Sequence, residues 1–149
     1  MSNDSESRAG RTLTVHNEVN AELWQIVNDG LDAFNAASAP LHDIQPLACA
    51  ARALEGRVIG GVIGRTWGVC CEMLQLWVAE EHRRLGIGSA LVTQFHKQAE
   101  ARGCITFYLD TFSFQAPEFY RKFGYDVRCQ LQGYSHDIVK YIMVREVVS

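Results

Sequence analysis

The sequence lacks any long hydrophobic run and any recognisable export signal. No segment approaches the ~20 consecutive apolar residues that a membrane-spanning helix needs. The amino-terminal stretch MSNDSESRAGR has no basic segment followed by an apolar one, the pattern of a secretory signal. We therefore expect a cytoplasmic protein with a flexible polar leader at residues 1–11 and a single domain at residues 12–149.

The sequence also has no excess of basic residues. Its 14 lysines and arginines are set against 17 acidic residues, which gives a net charge of −3. A chain of this charge has no general attraction for a polyanion, so nucleic acid is not an expected partner. Any affinity for phosphate must be local, and the dense basic cluster of the chain is His82-Arg83-Arg84.

The five cysteines lack the spacing of a metal or disulfide site. They are odd in number, show no paired C-x-x-C motif and have no histidines at zinc-finger distances. Free thiols in a reducing cytosol are the interpretation, and no metal cofactor is expected.

The remaining pattern is that of one globular domain, with 48% hydrophobic and 21% charged residues. The order of elements indicates an α+β or α/β layered structure with a mixed sheet. The early helical stretch after Asn20 is expected to break into two before Pro40. The predicted strands are Thr12–Val15, Leu47–Leu54, Arg57–Gly64, Trp67–Ala79, Cys104–Thr111, Tyr125–Leu131 and Lys140–Val147, with later helices at 88–102 and Ala116–Phe123.

The most informative stretch is Leu74–Leu91, which predicts a strand, a short basic turn with two glycines, and then a helix. Gly86 and Gly88 allow close approach of the backbone to a ligand, and the N–H groups at a helix start favour a pyrophosphate. The same glycines would also suit a purely structural turn. A dinucleotide fingerprint would need a third glycine where Leu91 stands, and a P-loop lysine is absent, so another kind of nucleotide binder is disfavoured.

Two spaced motifs resemble those of the Gcn5-related N-acetyltransferases. Arg83-Arg84-Leu85-Gly86-Ile87-Gly88 matches the family's acetyl-CoA motif, Arg or Gln-x-x-Gly-x-Gly or Ala. Ala116–Tyr125 is similar to the family's Ala-x-x-Phe or Leu-Tyr-x-x-x-Gly-Phe or Tyr segment. The resemblance implies a mixed, mostly antiparallel sheet of about six to seven strands, flanked by about four helices.

The resemblance also implies roles for individual residues. Tyr120 matches the family's proton donor to the departing thiolate of CoA. Backbone groups of the preceding strand would pair with the pantetheine arm, and Ser113 stands where many members carry a cofactor-contacting asparagine. The cofactor-binding set implied in this way is Leu76, Trp77, Val78, Arg83, Arg84, Leu85, Gly86, Ile87, Gly88, Ser89, Ser113 and Tyr120.

Two carboxylates are candidates for the general base that the acceptor amine requires. Glu72 lies eleven residues before Arg83, the offset of the catalytic glutamate in histone-acetylating members of the family. Asp110 ends the strand that follows the long helix, where the family separates its two central strands. A solvated charge at a strand end would explain either residue equally well.

The function implied is transfer of acetyl from acetyl-CoA to the primary amine of a small-molecule acceptor. Direct attack in a ternary complex is expected, because no cysteine lies near either motif with a histidine base. An acyl-CoA-binding sensor or interaction domain without catalysis is the alternative. The predicted edge strands would also allow a homodimer, and no membrane partner is expected.

Overall fold

The computed structural model describes residues 10–147, which fall into two compact units divided between Leu41 and His42. In the first unit, one continuous helix, α1, spans Ala21–Ser38. The side chain of Asn20 caps it by accepting the N–H of Leu23 at 2.7 Å. The expected break in this helix is therefore wrong, because an 18-residue helix with a good cap tolerates its single glycine.

The second unit contains a six-stranded sheet in the order β1-β2-β3-β4-β6-β5. The strands are β1 Gln45–Arg52, β2 Val58–Trp67, β3 Cys70–Val78, β4 Thr106–Phe112, β5 Asp126–Leu131 and β6 Lys140–Glu146. The helices are α2 Ile87–Ala101 and α3 Pro117–Arg121, with short 3₁₀ turns at Leu41–Asp43, Glu80–His82 and Ser135–Asp137.

The predicted fold class is confirmed, with three α-helices among residues 10–147 instead of about four. All neighbouring strands pair antiparallel except β3 and β4, which are parallel. The expected strand at Thr12–Val15 is wrong, since these residues form no regular element. Most of the predicted leader, residues 1–9, lies outside the described residues, as do the final residues 148–149.

Helix α2 covers one face of the sheet and builds the core there. Its Phe95 is fully buried, as are Val62 of β2 and Phe107 of β4. His96 of α2 is also buried and shares a hydrogen bond of 2.8 Å with the hydroxyl of Tyr125. Burial lowers the pKa of His96 to about 4, so this ring stays neutral inside the core at physiological pH.

A β-bulge bends β3 in the middle of the sheet. In the ladder with β2, Ile63 faces Gln75 while Gly64 faces Met73, so Leu74 is the extra residue on β3. On the other side of β3, the ladder with β4 consists of three pairs and ends at Glu72. Beyond that point the two parallel strands run on without a shared ladder, and the sheet is split.

Among residues 10–147, no helix combines the length and the apolar character needed to cross a membrane.

Gly64 is the position that tests this packing at the bulge. A Cβ on Gly64 would overlap the carbonyl oxygen of Glu72 and lie 2.6 Å from the Phe95 ring. We expect Gly64→Ala to lower the free energy of unfolding by about 3 kcal/mol, measured by chemical denaturation. Gly61→Ala is the matched control on the same strand, because its Cβ would make an ordinary contact of 3.4 Å with the Cys49 carbonyl. Equal losses for the two variants would contradict this account of the bulge.

Candidate active site

A cleft of about 770 Å³ opens where β3, the start of α2 and α3 meet. All three elements belong to the second unit, and they bring together both of the motifs found in the sequence. The residues that line the cleft are Leu76, Trp77, Val78, His82, Arg83, Arg84, Gly86, Ile87, Gly88, Ser89, Phe114, Gln115, Ala116, Phe119, Tyr120 and Lys122.

The start of α2 forms one wall of the cleft. Gly86 precedes the helix in the left-handed conformation, with a φ of 81°, and its carbonyl accepts the N–H of Ala90 at 3.0 Å. The first N–H groups of an α-helix have no carbonyl of their own helix to bind. Those of Ile87, Gly88 and Ser89 are at the cleft, where the positive end of the helix dipole favours an anion.

Four side chains that can carry positive charge line the same cleft: His82, Arg83, Arg84 and Lys122. The Nε of Arg83 donates to the Val78 carbonyl at 3.0 Å, which ties the basic turn to the end of β3. Arg84 has a φ of 65°, an uncommon conformation for a residue with a side chain. Such backbone strain is often found at functional sites, and here it borders the anion-binding wall.

Tyr120 lines the cleft from α3, on the side of the sheet that α2 covers. Its ring packs edge-on against Tyr125, with centroids 6.2 Å apart, and Tyr125 in turn bonds His96 of α2. Burial raises the pKa of Tyr120 above its ordinary value. The hydroxyl therefore holds its proton throughout the neutral range, as a proton donor must.

The two candidate carboxylates lie on the opposite face of the sheet. Phe107, Leu109 and Thr111 of β4 are buried, so alternation points Tyr108 and Asp110 away from α2. Glu72 pairs with Tyr108 in the last rung before the split. This face therefore carries acidic groups next to the opening between the strands.

The two carboxylates differ in their surroundings. One oxygen of Glu72 accepts a hydrogen bond from the Nε of Arg65 at 2.9 Å, and the Nη2 of Arg65 forms an ion pair with the same oxygen at 2.8 Å. Burial and a hydrogen bond to Glu72 raise the pKa of Tyr108 to about 12. Asp110 is more exposed, and its carboxylate lies 3.8 Å from the Nζ of Lys140.

The cleft has the chemistry that coenzyme A requires. Unpaired helix N–H groups and several cations suit the pyrophosphate, and the unpaired edge of β3 offers backbone groups to the amides of the pantetheine arm. The carbonyl of Val78 is already engaged by Arg83. Acetyl-CoA therefore fits the residues present as the acyl donor.

Ten of the twelve predicted cofactor-binding residues line the cleft; Leu85 and Ser113 are not among the lining residues. The Ser113 hydroxyl instead accepts the N–H of Val139 at 3.1 Å, and its contact with the cofactor stays a prediction. His82, part of the basic cluster identified in the sequence, also lines the cleft, and the lining residues that sequence reasoning missed are Phe114, Gln115, Ala116, Phe119 and Lys122. Ala116, Phe119 and Lys122 lie inside the second motif, which could have indicated them, whereas Phe114 and Gln115 carry no such signal.

Gly86 and Gly88 give a matched test of the turn at the start of α2. Gly86→Ala places a side chain at a φ of 81°, so we expect the turn to shift and the affinity for CoA to fall about 10-fold. Gly88→Ala should change the affinity little, because its Cβ would lie 3.6 Å from the Phe119 ring, an ordinary contact. Isothermal titration calorimetry with CoA measures both variants. Similar losses in the two would show that the left-handed turn does not organise the site.

The sequence profile of the Acetyltransferase (GNAT) family matches residues 16–125. The chain is 32% identical over 109 residues to blasticidin-S acetyltransferase of Streptomyces morookaense, covering 72% of this chain and 78% of that protein. An acetyltransferase structure from Bacillus cereus has a TM-score of 0.73 at 24% identity and covers 90% of this chain and 98% of its own.

A further similar structure is the PaiA N-acetyltransferase of Thermoplasma acidophilum, solved in complex with coenzyme A. Its TM-score is 0.56 at 22% identity, over 84% of this chain and 69% of that one. With both motifs on one cleft and the family profile spanning most of its length, this chain belongs to the GNAT family of acetyltransferases and is an acyltransferase.

Proposed function

We propose that the protein transfers acetyl from acetyl-CoA to the primary amine of a small-molecule acceptor by direct attack in a ternary complex. The observation that carries this proposal is the split between β3 and β4. On one face of the sheet, the split opens to a cleft suited to coenzyme A, and Tyr120 lies in the wall of that cleft. On the other face it is flanked by the carboxylates Glu72 and Asp110. The similarity to an enzyme named for blasticidin S supports a small-molecule acceptor.

The donor would lie along the cleft with its pyrophosphate against the start of α2. Arg84, Lys122 and the N–H groups of residues 87–89 would bind the phosphate oxygens. The pantetheine arm would continue along the unpaired edge of β3 towards the split. This path brings the thioester to the level of Tyr120, between the two faces of the sheet.

The amine would approach the thioester from the carboxylate face. A primary amine with a pKa near ~10.4 is largely protonated at neutral pH, so a base must take its proton before attack. Glu72 or Asp110 would accept this proton, directly or through one water molecule. The Arg65 ion pair fixes the orientation of Glu72, whereas Asp110 is the more exposed of the two.

The chemical step then needs a proton on the opposite side. The amine nitrogen bonds to the carbonyl carbon of the thioester, and the carbon–sulfur bond breaks. The sulfur leaves as a thiolate towards the α2 side of the sheet, where Tyr120 donates its proton. The amine nitrogen loses a second proton as the amide forms; this proton passes to solvent, from which the Tyr120 phenolate is reprotonated. This arrangement places the base and the acid on opposite faces of the sheet. It matches the displacement, because the amine enters from one face and the thiolate leaves towards the other.

Tyr120→Phe tests the acid. We expect at least about a 100-fold fall in kcat, because the departing thiolate loses its proton donor, while the Kd for CoA changes less than about twofold because the ring is kept. Burial raises the pKa of Tyr120 above its ordinary value, so the wild-type rate should stay on its plateau into the alkaline range and fall only where Tyr120 ionises. Steady-state kinetics across pH measure this, and the alkaline fall should be absent from the variant. An unchanged kcat would exclude Tyr120 as the donor.

Glu72→Gln and Asp110→Asn test the base. The variant that removes the base should lose roughly 100-fold in kcat/KM near pH 7. It should recover part of that loss at high pH, because the amine then deprotonates without help. Asp126→Asn removes an exposed carboxylate at the start of β5 and is the matched control. If neither variant shows the loss or its recovery at high pH, a base from this face is excluded.

A panel of amines gives the overall test, with release of CoA thiol as the readout and CoA binding measured in parallel. Turnover on at least one small amine is expected. Tight CoA binding with no turnover on a broad panel would favour an acyl-CoA-binding sensor, and failure to bind CoA would contradict both functions.

A further inference from the structure

Three aromatic side chains form a partly exposed cluster next to the cleft: Phe112, Phe114 and Tyr134, called here the aromatic cluster. The rings of Phe112 and Phe114 are stacked, with centroids 5.5 Å apart and an interplanar angle of 5°. Tyr134 meets Phe112 edge-on at 5.4 Å and 89°. Phe114 remains 67% exposed and Tyr134 42% exposed. Large aromatic rings are costly to leave in water, so this cluster is a candidate for binding something flat and apolar.

The aromatic cluster joins the donor cleft to the carboxylate face. Phe114 lines the cleft itself. Phe112 is the last residue of β4 and, by alternation, points to the same face as Asp110. The Nζ of Lys140 lies 5.6 Å from the centre of the Phe112 ring and 3.8 Å from the carboxylate of Asp110. A molecule on these rings would therefore be next to both the thioester and a candidate base.

The backbone holds the cluster in place. The segment that carries Tyr134 includes two successive non-glycine residues with positive φ, His136 at 59° and Asp137 at 57°. Ser113, next to Phe114, ties this segment to the end of β4 through two hydrogen bonds with Val139. The N–H of Ser113 donates to the carbonyl of Val139 at 2.8 Å, and the hydroxyl of Ser113 accepts the N–H of Val139 at 3.1 Å. Strained conformations persist where surrounding contacts enforce them, and they concentrate at binding sites. The two backbone segments that carry these rings are thus tied to each other.

We propose that the aromatic cluster binds the acceptor, and that acceptors are amines carrying a flat aromatic or heteroaromatic ring. This inference rests on the function proposed above. The ring of the acceptor would pack against Phe114 and Tyr134, and its amine would extend towards the split between β3 and β4. A flat ring gains an aromatic contact there that a puckered ring of the same size cannot make, which corresponds to a preference of roughly 2- to 10-fold.

Phenethylamine and cyclohexylethylamine are matched probes for this preference. They carry the same primary amine on the same two-carbon linker and differ in whether the ring is flat. At saturating acetyl-CoA, the wild type should show a higher kcat/KM for phenethylamine. Tyr134→Leu and Phe114→Leu should each bring the ratio between the two amines towards 1, a fall of roughly 2- to 10-fold when the whole preference is lost, mainly through KM.

Two further variants separate ring contact from general disturbance. Tyr134→Phe keeps the ring and should keep the ratio of the wild type. Trp67→Leu removes an exposed ring at the far end of β2 and should leave the ratio unchanged. The Kd for CoA of Tyr134→Leu should equal that of the wild type, because Tyr134 is not among the residues that line the cleft.

Several results would overturn the proposal. One is equal kcat/KM for the two amines in the wild type, and another is a ratio that Tyr134→Leu and Phe114→Leu leave unmoved. A weaker affinity of Tyr134→Leu for CoA would assign the rings to the donor instead. Absence of turnover on every amine would contradict the proposed function alone. Calorimetric binding of the two amines to the CoA complex would then test the flat-ring site by itself. Tighter binding of phenethylamine that is lost in Tyr134→Leu would support this site, and equal binding of the two amines would exclude it.

Discussion

The bend of β3 at its bulge is the constraint on which the site depends. Leu74 is an extra residue opposite β2, and the ladder with β4 ends at Glu72, two residues earlier. A bulge bends its strand and increases the local twist, so β3 turns away from its parallel neighbour at this point. Gly64 allows the bend, since Phe95 of α2 and the backbone of Glu72 occupy the space that a side chain would need.

Splitting a sheet in its middle leaves backbone groups that would normally be paired. Beyond Glu72, β3 retains β2 on one side, and β4 retains β6 on the other. The edges that face each other across the split still require partners, because unpaired backbone groups are costly away from water. A donor with two amides in its pantetheine arm could satisfy part of that demand. The split therefore leaves backbone groups that suit a ligand with amides of its own.

Local arrangement also explains how an acidic chain can attract a polyphosphate. The net charge is −3, yet His82, Arg83, Arg84 and Lys122 converge on one cleft with the start of α2. Charges within a Debye length of about 8 Å dominate the potential that a bound ligand feels, so the distant acidic residues matter little. Sequence alone could identify the contribution of the basic turn, since those residues are contiguous. Lys122 belongs to the second motif, and the fold brings it next to the basic turn.

The sequence predicted best those features that are encoded within one short segment. The strand, basic turn and helix around Gly86, and the second motif with Tyr120, were placed correctly because each depends on local spacing. The expected break before Pro40 failed because the cap at Asn20 and the length of α1 outweigh one glycine. Phe112 and Phe114 come from the end of β4, whereas Tyr134 comes from the segment before β6. The pairing of β4 with β6 brings them together. Contacts of that kind have no signature in the spacing of residues, so the aromatic cluster could not be predicted from the sequence, whereas the basic turn could.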